Sequence, residues 1–200
     1  MRLEHLLSGA AEALLLNFVL RATGFEEVEA IGPVDICRRA GLAVKTVSVS
    51  GDAVVKGAHG VGIVADSLFE DNDYNDADML FLPGGMPGST NLDEHEGLRK
   101  VILRHNEEGK PLAAICAAPM VYGKLGLLRG KKATCYPGFE SFLDGADYTA
   151  AIVQRDGVLF TGNGPAAAFA LGYEMVKYLS SEQQAEMLKE GMMYNVLLGK

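Results

Sequence analysis

The chain has 200 residues, of which 48% are hydrophobic and 22% are charged, so it is long enough for one domain with a sizeable core. A formal net charge of −8 argues against nonspecific nucleic-acid binding, and no uninterrupted apolar run of about eighteen residues predicts a membrane span. Three widely spaced cysteines do not form the pattern of a disulfide framework, and this favours a reducing cytoplasm.

The N-terminal part of the chain predicts a short extension followed by one domain. Residues 1–13 are interpreted as a helical extension of unknown role, in which Glu4 and Glu12 interrupt the apolar core that a signal peptide needs. The domain, residues 14–200, opens with an apolar strand over 14–20. A helical stretch, GFEEVEAIGPVDICRRAG, follows and ends at Gly41, a residue typical of helix C-termini.

Strand-like and helix-like segments then alternate to the end of the chain. AVKTVSVS alternates as a half-buried strand does, KGAHGVGIVADS predicts a hairpin, and MLFLPGG is an apolar strand that ends in a glycine pair. NLDEHEGLRKVILRHNEEG predicts one amphipathic helix, LAAIC a strand and APMVYGKLGLL a helix. Later strands are expected in KKATCYPGF, YTAAIVQRDG and GVLFTG, and two closing helices in AAAFALGYEMVKYL and SEQQAEMLKEGMMYNVLL. The alternation predicts an α/β fold with a parallel sheet covered on both faces.

Cys116 occupies the turn between a predicted buried strand and a predicted helix that starts at Pro119. Unpaired backbone N–H groups and the helix dipole at such a turn favour a thiolate, so we expect a reactive thiol with a pKa below about 8.5. Ala117 and Ala118 fit a sharp turn with little room for side chains. The alternative is a buried cysteine that packs as a small hydrophobe.

Other loops at predicted strand ends are expected to meet this cysteine. Ligands of parallel α/β sheets collect at the carboxyl ends of the strands. Gly84 and Gly85 follow one such strand and predict either a plain turn or a close approach of backbone to ligand. The N–H groups of Gly85 and Ala117 would together form an oxyanion hole.

Three acids, Glu26, Glu27 and Glu29, begin the first predicted helix, where the helix dipole stabilises negative charge. A carboxyl close to a thiolate would have a raised pKa and, when protonated, could donate a hydrogen bond to the sulfur. Spacing alone does not choose among the three.

The remaining cysteines and histidines predict packing roles. Cys37 lies on an apolar helix face, and packing is also favoured for Cys135; His95 and His105 are expected at the surface or in packing. No pair of His or Cys residues has metal-ligand spacing and no phosphate-binding loop is present, so neither a metal nor an organic cofactor is expected.

Five segments together resemble the ThiJ/PfpI superfamily, in particular the branch that holds the Parkinson-disease deglycase and the bacterial chaperone YajL. The segments are ATGFEEVEAIGPVDICRRAG, FLPGG, AAICAAP, ATCYPGFE and TGNGPAAAFALG. The resemblance runs from about residue 15 to about residue 188. It implies a flavodoxin-like fold, a parallel sheet between helices, and a homodimer.

The resemblance also assigns roles to individual residues. It places the oxidation-sensitive nucleophile on Cys116, the protonated glutamate that hydrogen-bonds it on Glu29, and the glycine whose N–H faces the sulfur on Gly85. Dimer contacts near the pocket would fall on Glu26, Asp35 and Arg38 of the first helix. A basic residue of the next hairpin would fall on His59.

Two positions depart from the family pattern. The protease-like branch has a histidine directly after the cysteine, where this chain has Ala117, so peptidase activity is not expected. The human-type branch has a histidine before the proline of a later loop, where this chain has Tyr136. Cysteine chemistry would therefore rely on Glu29 and backbone donors.

The resemblance implies two functions that use the same cysteine. The first is a cofactor-independent enzyme, a deglycase or glyoxalase, that acts on methylglyoxal and glyoxal or on their adducts through a Cys116 hemithioacetal. The second is a non-enzymatic, redox-sensing chaperone in which Cys116 is oxidised. Both hypotheses imply a cytoplasmic stress-protective protein with no specific nucleic-acid or membrane partner.

Overall fold

The computed structural model describes residues 15–20 and 24–199, so the predicted extension over 1–13 lies outside the described residues. The strands are β1 (Leu15–Leu20), β2 (Ala43–Ser48), β3 (Val54–Lys56), β4 (Gly62–Val64), β5 (Ser67–Leu68), β6 (Met79–Leu82), β7 (Leu112–Ile115), β8 (Lys132–Ala133), β9 (Asp147–Tyr148), β10 (Val153–Asp156) and β11 (Leu159–Gly162). The helices are α1 (Glu27–Arg39), α2 (Gly88–Glu94), α3 (Glu96–Glu107), α4 (Pro119–Lys124), α5 (Ala168–Leu179), α6 (Glu182–Gly191) and α7 (Tyr194–Leu197).

Seven strands form the main sheet in the order β10-β11-β7-β6-β1-β2-β5. Neighbouring strands are parallel except β10 and β11, which form an antiparallel hairpin at one edge. The two residues between them, Gly157 and Val158, are too few for the crossover that parallel strands need. The predicted α/β fold with a sheet between helices is confirmed, with one antiparallel strand added at the edge.

The central strands are buried on both faces because helices cover both sides of the sheet. In β6, Met79 and Phe81 join one apolar cluster and Leu80 and Leu82 join the other. The first cluster includes residues of α1, α5 and α6, and the second includes residues of α2, α3 and α4. This two-sided burial explains why the strand sequence is continuously apolar.

Strand β2 differs from the predicted alternation, since Thr46, Val47 and Ser48 are all buried. Thr46 is covered by the side chain of Asp66. The carboxylate of Asp66 accepts hydrogen bonds from both the N–H and the Oγ1 of Thr46, each at 2.7 Å. A threonine that alternation would place at the surface is therefore enclosed.

The predicted amphipathic helix after β6 is two helices, because the chain leaves helical geometry at His95. The Nδ1 of His95 accepts a hydrogen bond from the N–H of Leu98 at 3.0 Å and so caps α3. Its ring packs against Phe69, with ring centroids 4.6 Å apart. His105 is buried, its Nε2 lies 3.0 Å from the carbonyl oxygen of Pro111, and burial lowers its pKa to about 4. Both histidines have packing roles.

The last predicted helix is also divided, into α6 and α7, at Met193 with φ of +58°. The predicted hairpin is present as β3 and β4, which pair antiparallel. Within the described residues, none of the helices has the length and apolar character needed to cross a bilayer.

Candidate active site

Cys116 lies on a strained turn between the end of β7 and the start of α4. Its φ is +63°, a left-handed conformation that non-glycine residues rarely adopt. Three backbone hydrogen bonds hold it: its N–H donates to the carbonyl oxygen of Gly162 (2.9 Å), its carbonyl accepts from the N–H of Tyr136 (2.8 Å), and the N–H of Ala118 donates to Ile115 (3.0 Å). The thiol is thus fixed at the carboxyl edge of the sheet, as predicted, and the residue is 8% exposed.

Gly84 and Gly85 bring backbone against this thiol. A Cβ on Gly84 would lie 2.6 Å from Oε2 of Glu29 and 2.7 Å from Cβ of Cys116, so only glycine fits between the two side chains. Gly85 has φ of +88°, and its N–H and that of Ala117 hydrogen-bond the Cys116 thiol and act to lower its pKa. Two convergent N–H groups provide a site for negative charge on sulfur or on an attached oxygen.

Glu29 reaches the thiol from the first turn of α1, and its side chain is fully buried. Its Oε2 accepts a hydrogen bond from the N–H of Gly84 at 2.9 Å, while its Oε1 is buried without a hydrogen-bond partner. Burial raises the pKa of Glu29 to about 7; the charge of Glu26 acts in the same direction, and the Cys116 and Gly84 hydrogen bonds oppose it. The carboxyl therefore exchanges its proton near neutral pH.

The expectation of a lowered thiol pKa is wrong for Cys116 beside an ionised Glu29. Burial, and then the charge and hydrogen bond of Glu29, raise the pKa of Cys116 to about 12. The six-residue α4 and the two N–H groups do not offset the loss of solvent. Because the thiol and the carboxyl are coupled, the first proton lost belongs to the pair rather than to either residue.

Glu26 and Glu27 hold neighbouring backbone in place. Glu26 is the N-cap of α1: its Oε2 accepts from the N–H of Glu29 at 2.7 Å, and its own N–H donates to the carbonyl of Gly84 at 3.0 Å. Glu27 accepts hydrogen bonds from the N–H groups of His59 (2.8 Å) and Val61 (3.3 Å), so it fastens the β3–β4 hairpin to α1.

His59 lies at this rim with its side chain 71% exposed. Its Nδ1 is 2.8 Å from Oε2 of Glu27 and 4.0 Å from Oε1 of Glu26, and the hydrogen bond to Glu27 raises the pKa of His59. Ligand atoms of these three residues lie within 4.8 Å of one another, but Glu27 and His59 already hydrogen-bond each other and Glu26 caps α1. The expected absence of a metal stays a prediction.

Asp35 and Arg38 are not brought to the cysteine within this chain. They lie farther along α1, about 9 and 14 Å from Glu29 at the helical rise per residue. Asp35 pairs with Arg39 (2.8 Å), whereas Arg38 pairs with Asp66 (2.7 Å) and donates to the carbonyl of Val44 (3.1 Å). Their predicted dimer contacts stay predictions.

Tyr136 borders the cysteine on the side of β11. Its N–H bonds the Cys116 carbonyl, and its side chain rests on Gly164, where an added Cβ would be 3.2 Å from the Tyr136 ring. The preceding Cys135 is fully buried, as is Cys37, so the packing roles predicted for both are confirmed.

Sequence reasoning missed several residues that position the site. Glu27 was one of three equivalent acids, and Gly57, where a Cβ would lie 2.4 Å from the Glu27 carboxyl group, was only part of a predicted hairpin. Asp66 carried no signal of its own, and Gly164 was only part of a segment that resembles the family, since the partners of both residues are distant in sequence. The glycine pair was the one signal that did point to close backbone approach.

Comparisons with known proteins found related sequences and a related fold. The model of the DJ-1/PfpI family matches residues 17–178. The chain is 37% identical over 166 residues to Arabidopsis thaliana protein DJ-1 homolog B, a match that covers 82% of this chain but 38% of that protein. It is 34% identical over 164 residues to a deglycase of Pyrococcus abyssi, covering 80% of this chain and 97% of the relative.

A solved structure gives the same result for the fold. The crystal structure of a DJ-1 superfamily protein from Salmonella typhimurium superposes with a TM-score of 0.85 at 29% sequence identity, and covers 90% of this chain and 98% of that one. The chain spans less than half of the Arabidopsis relative but nearly the whole of the archaeal and bacterial ones.

Proposed function

This chain belongs to the DJ-1/PfpI family, and from that premise we propose that it is a cysteine-dependent enzyme that acts on methylglyoxal and glyoxal or on their adducts. It would be a cofactor-independent hydrolase or lyase of the deglycase or glyoxalase III type, with a stress-protective role. A relative named a deglycase, 34% identical, supports an enzymatic activity of this kind.

The observation that carries the proposal is the hydrogen bond between Glu29 and Cys116, whose pKa values are both raised, chiefly by burial. The sulfur faces two N–H donors, whereas the buried Oε1 of Glu29 has none. A proton on the carboxyl of Glu29 and a negative charge on sulfur would suit these contacts, since the carboxyl then donates to the sulfur and the sulfur accepts from Gly85 and Ala117. In this proposal the ionised pair is a thiolate beside a neutral acid.

The chemistry begins when Sγ of Cys116 adds to the aldehyde carbon of methylglyoxal. The C–S bond forms, the carbonyl electron pair moves to oxygen, and the proton of Glu29 passes to that oxygen, which gives a hemithioacetal whose oxygen would lie at the Gly85 and Ala117 N–H groups and leaves Glu29 ionised. The ionised Glu29 then removes the proton of the former aldehyde carbon and returns it to the neighbouring carbon, while the hydroxyl proton of the first carbon moves to the oxygen of the second. The first carbon becomes a thioester while the ketone becomes an alcohol, so no external oxidant is needed.

Water completes the cycle by hydrolysing the thioester. The C–S bond breaks, the thiol is restored, and lactate leaves; glyoxal would give glycolate by the same steps. Peptidase activity is not part of the proposal, because Ala117 takes the position of the histidine that the protease-like branch uses as its base.

Turnover of methylglyoxal by the purified protein tests this function. The native protein is expected to form lactate, and Cys116→Ser is expected to lose that activity. Cys135→Ser is the matched control, because it alters a buried thiol on the neighbouring loop. Absence of lactate with native protein, or undiminished turnover by Cys116→Ser, contradicts the proposal.

Redox sensing is the second candidate, and the N–H pair at Cys116 favours it. Hydrogen peroxide would oxidise the thiolate to a sulfenate with release of water, and a second equivalent would give a sulfinate whose oxygens accept from Gly85 and Ala117. Intact-mass measurement during peroxide titration tests it: two oxygens should be added to native protein and none to Cys116→Ser. A chaperone role additionally requires that oxidation change the protection of an aggregating client.

We also propose that the protein is a homodimer. An apolar groove lies beside the site, between α1, the β3–β4 hairpin and α5; its lining is Glu27, Val28, Ile31, Gly32, Asp35, Val61, Ile63 and Phe169. Val28, Val61 and Phe169 are exposed in the single chain, and a second copy would cover them. Sedimentation at micromolar concentration should show a dimer that Val28→Asp weakens and the distant control Leu197→Asp does not.

The proposed location is a reducing cytoplasm. Cys37, Cys116 and Cys135 are all free and buried, which is the state that such a compartment preserves.

A further inference from the structure

A closed ring of three hydrogen bonds joins the start of α1 to the loop after β6. The N–H of Glu26 donates to the carbonyl of Gly84 at 3.0 Å, and the N–H of Gly84 donates to Oε2 of Glu29 at 2.9 Å. The N–H of Glu29 then donates to Oε2 of Glu26 at 2.7 Å and closes the ring. Because each residue both donates and accepts, the place of the Glu29 carboxyl depends on Glu26 as well as on Gly84.

The backbone of Glu26 is also packed tightly against the second glycine of that loop. A Cβ on Gly85 would lie 2.4 Å from the backbone nitrogen of Glu26, so only glycine allows this approach. Gly85 supplies one of the two N–H groups that hydrogen-bond the Cys116 thiol. Glu26 therefore contacts both the loop that carries a donor of the site and the residue that carries its acid.

Glu26 places a negative charge near Glu29. Its side chain is 11% exposed, so water and salt screen this charge weakly. Burial and then the charge of Glu26 raise the pKa of Glu29, whereas burial and then the charge of Glu29 raise the pKa of Cys116. From the β3–β4 hairpin, His59 lies 4.0 Å from Oε1 of Glu26, but its hydrogen bond is to Glu27. The charge of Glu26 thus reaches the thiol through Glu29.

We propose that Glu26 is a positioning residue for the proton that Glu29 and Cys116 exchange: its carboxylate orients the Glu29 side chain and keeps that acid protonated. A helix cap needs only an oxygen that accepts a backbone N–H, and the serine at Ser181 is sufficient for α6. A shielded carboxylate at the start of α1 adds a fixed charge to the cap. The inference rests on the proposed function for the reaction, but the effect of Glu26 on the thiol does not depend on turnover.

Glu26→Gln tests the charge alone. Glutamine keeps an oxygen that can accept from the N–H of Glu29, but it is neutral, so the pair should lose its first proton more easily. The pH midpoint of Cys116 labelling by iodoacetamide should therefore fall by about one unit, the lower end of the range for an adjacent charge. A midpoint equal to that of native protein refutes the electrostatic role.

Ser181→Ala is the matched control for the loss of a cap. The Oγ of Ser181 accepts from the N–H of Gln184 at 3.1 Å at the start of α6, a helix that takes no part in the site. This variant should lower the melting temperature and leave the labelling midpoint unchanged. A midpoint shift as large as that of Glu26→Gln would show that labelling follows general stability and would contradict the assignment.

A double-mutant cycle tests whether Glu26 acts through Glu29. Glu26→Gln should shift the midpoint in the native background and have less than half of that effect in the Glu29→Gln background, because the group that transmits the charge is then gone. Equal shifts in the two backgrounds would mean that Glu26 acts on the thiol directly, which overturns the role proposed for it.

Turnover separates this inference from the proposed function. Glu26→Ala loses the cap as well as the charge, so it should form lactate from methylglyoxal at least about tenfold more slowly than Glu26→Gln, since a misplaced acid lowers the rate. Equal rates refute the orienting role. A midpoint shift in a protein that forms no lactate refutes the enzymatic function and retains the role of Glu26, whereas lactate formation without a midpoint shift does the reverse.

Discussion

Two of the three buried cysteines, Cys37 and Cys116, lie in regions that differ in what surrounds the thiol. Cys37 lies in the C-terminal part of α1 against α5, in an apolar cluster, and burial alone raises its pKa to about 12. Cys116 lies at the turn between β7 and α4. Burial and Glu29 raise its pKa to about 12, while the N–H groups of Gly85 and Ala117 act to lower it. Burial by itself keeps a thiol protonated and unreactive. At Cys116, the carboxyl of Glu29 can accept the thiol proton and the two N–H groups can stabilise the thiolate that forms.

Helix α1 links the two regions. Its first turn supplies Glu29 to the elbow, and its later turns supply Cys37 to the core. The N-terminal end of α1 thus supplies a residue of the candidate active site, whereas its C-terminal end packs in the core and takes no part in the reaction. Most of the following predictions set a change in one region against a matched change in the other.

Thiol labelling should show the largest difference. Cys37 and Cys135 are fully buried and react only after local opening, so iodoacetamide should modify them at least about a thousandfold more slowly than Cys116 at neutral pH. Peptide mass spectrometry after brief labelling measures the three rates. Labelling of Cys37 at a rate comparable to that of Cys116 would contradict the predicted difference in reactivity between the two cysteines.

Stability should depend on pH through Glu29. A carboxyl whose folded-state pKa is raised stabilises the fold while protonated, so this contribution is complete below about pH 4.5 and is lost as pH rises through about 7. The pKa change corresponds to about 3 kcal/mol. Native protein should therefore lose about 3 kcal/mol more unfolding free energy than Glu29→Gln between about pH 5 and pH 8, as urea titrations would measure.

Cys37→Ala serves as the control for this pH series. It is expected to lower stability by a similar amount at both pH values, because the Cys37 thiol stays protonated throughout the range. Identical pH dependence in native protein and Glu29→Gln would show that Glu29 does not hold a raised pKa.

Turnover should fall about a hundredfold or more in Glu29→Gln, the usual loss for an acid–base group. Glutamine keeps the size and can donate a hydrogen bond, so labelling of Cys116 should persist with only a modest change in thiol pKa. Glu29→Leu should lose turnover as well, since leucine supplies neither an acid nor a hydrogen bond. Full turnover by Glu29→Gln would exclude proton relay through this residue.

The smallest expected effect is on stability. Glycine in place of alanine should stabilise the protein at position 116 and destabilise it at position 37. Cys116 has φ of +63°, so Cys116→Gly should be more stable than Cys116→Ala by about 1 kcal/mol. Cys37 lies inside α1, so Cys37→Gly should be less stable than Cys37→Ala by about the same amount. Thermal unfolding of the four variants compares them, and equal signs would mean that the elbow is not strained.

Much of the fold follows from local sequence because its signals are local. The apolar runs of β6 and β7 predicted buried strands, and Pro119 after Cys116 predicted the strand-to-helix turn. The breaks at His95 and Met193 were not predicted, since a side-chain cap and one left-handed residue interrupt patterns that are otherwise periodic. The buried Thr46 was missed because its cover, Asp66, is twenty residues away.

The sequence by itself determined the alternation of strands and helices, the placement of Cys116 at an elbow and the glycine pair beside it. Only the tertiary structure distinguished the three glutamates: Glu26 caps α1, Glu27 fastens the hairpin, and Glu29 meets Gly84 and the thiol. It also reversed the expected direction of the thiol pKa. The physical reason is that proton affinity depends on burial and on charges brought from distant parts of the chain, and local sequence encodes neither.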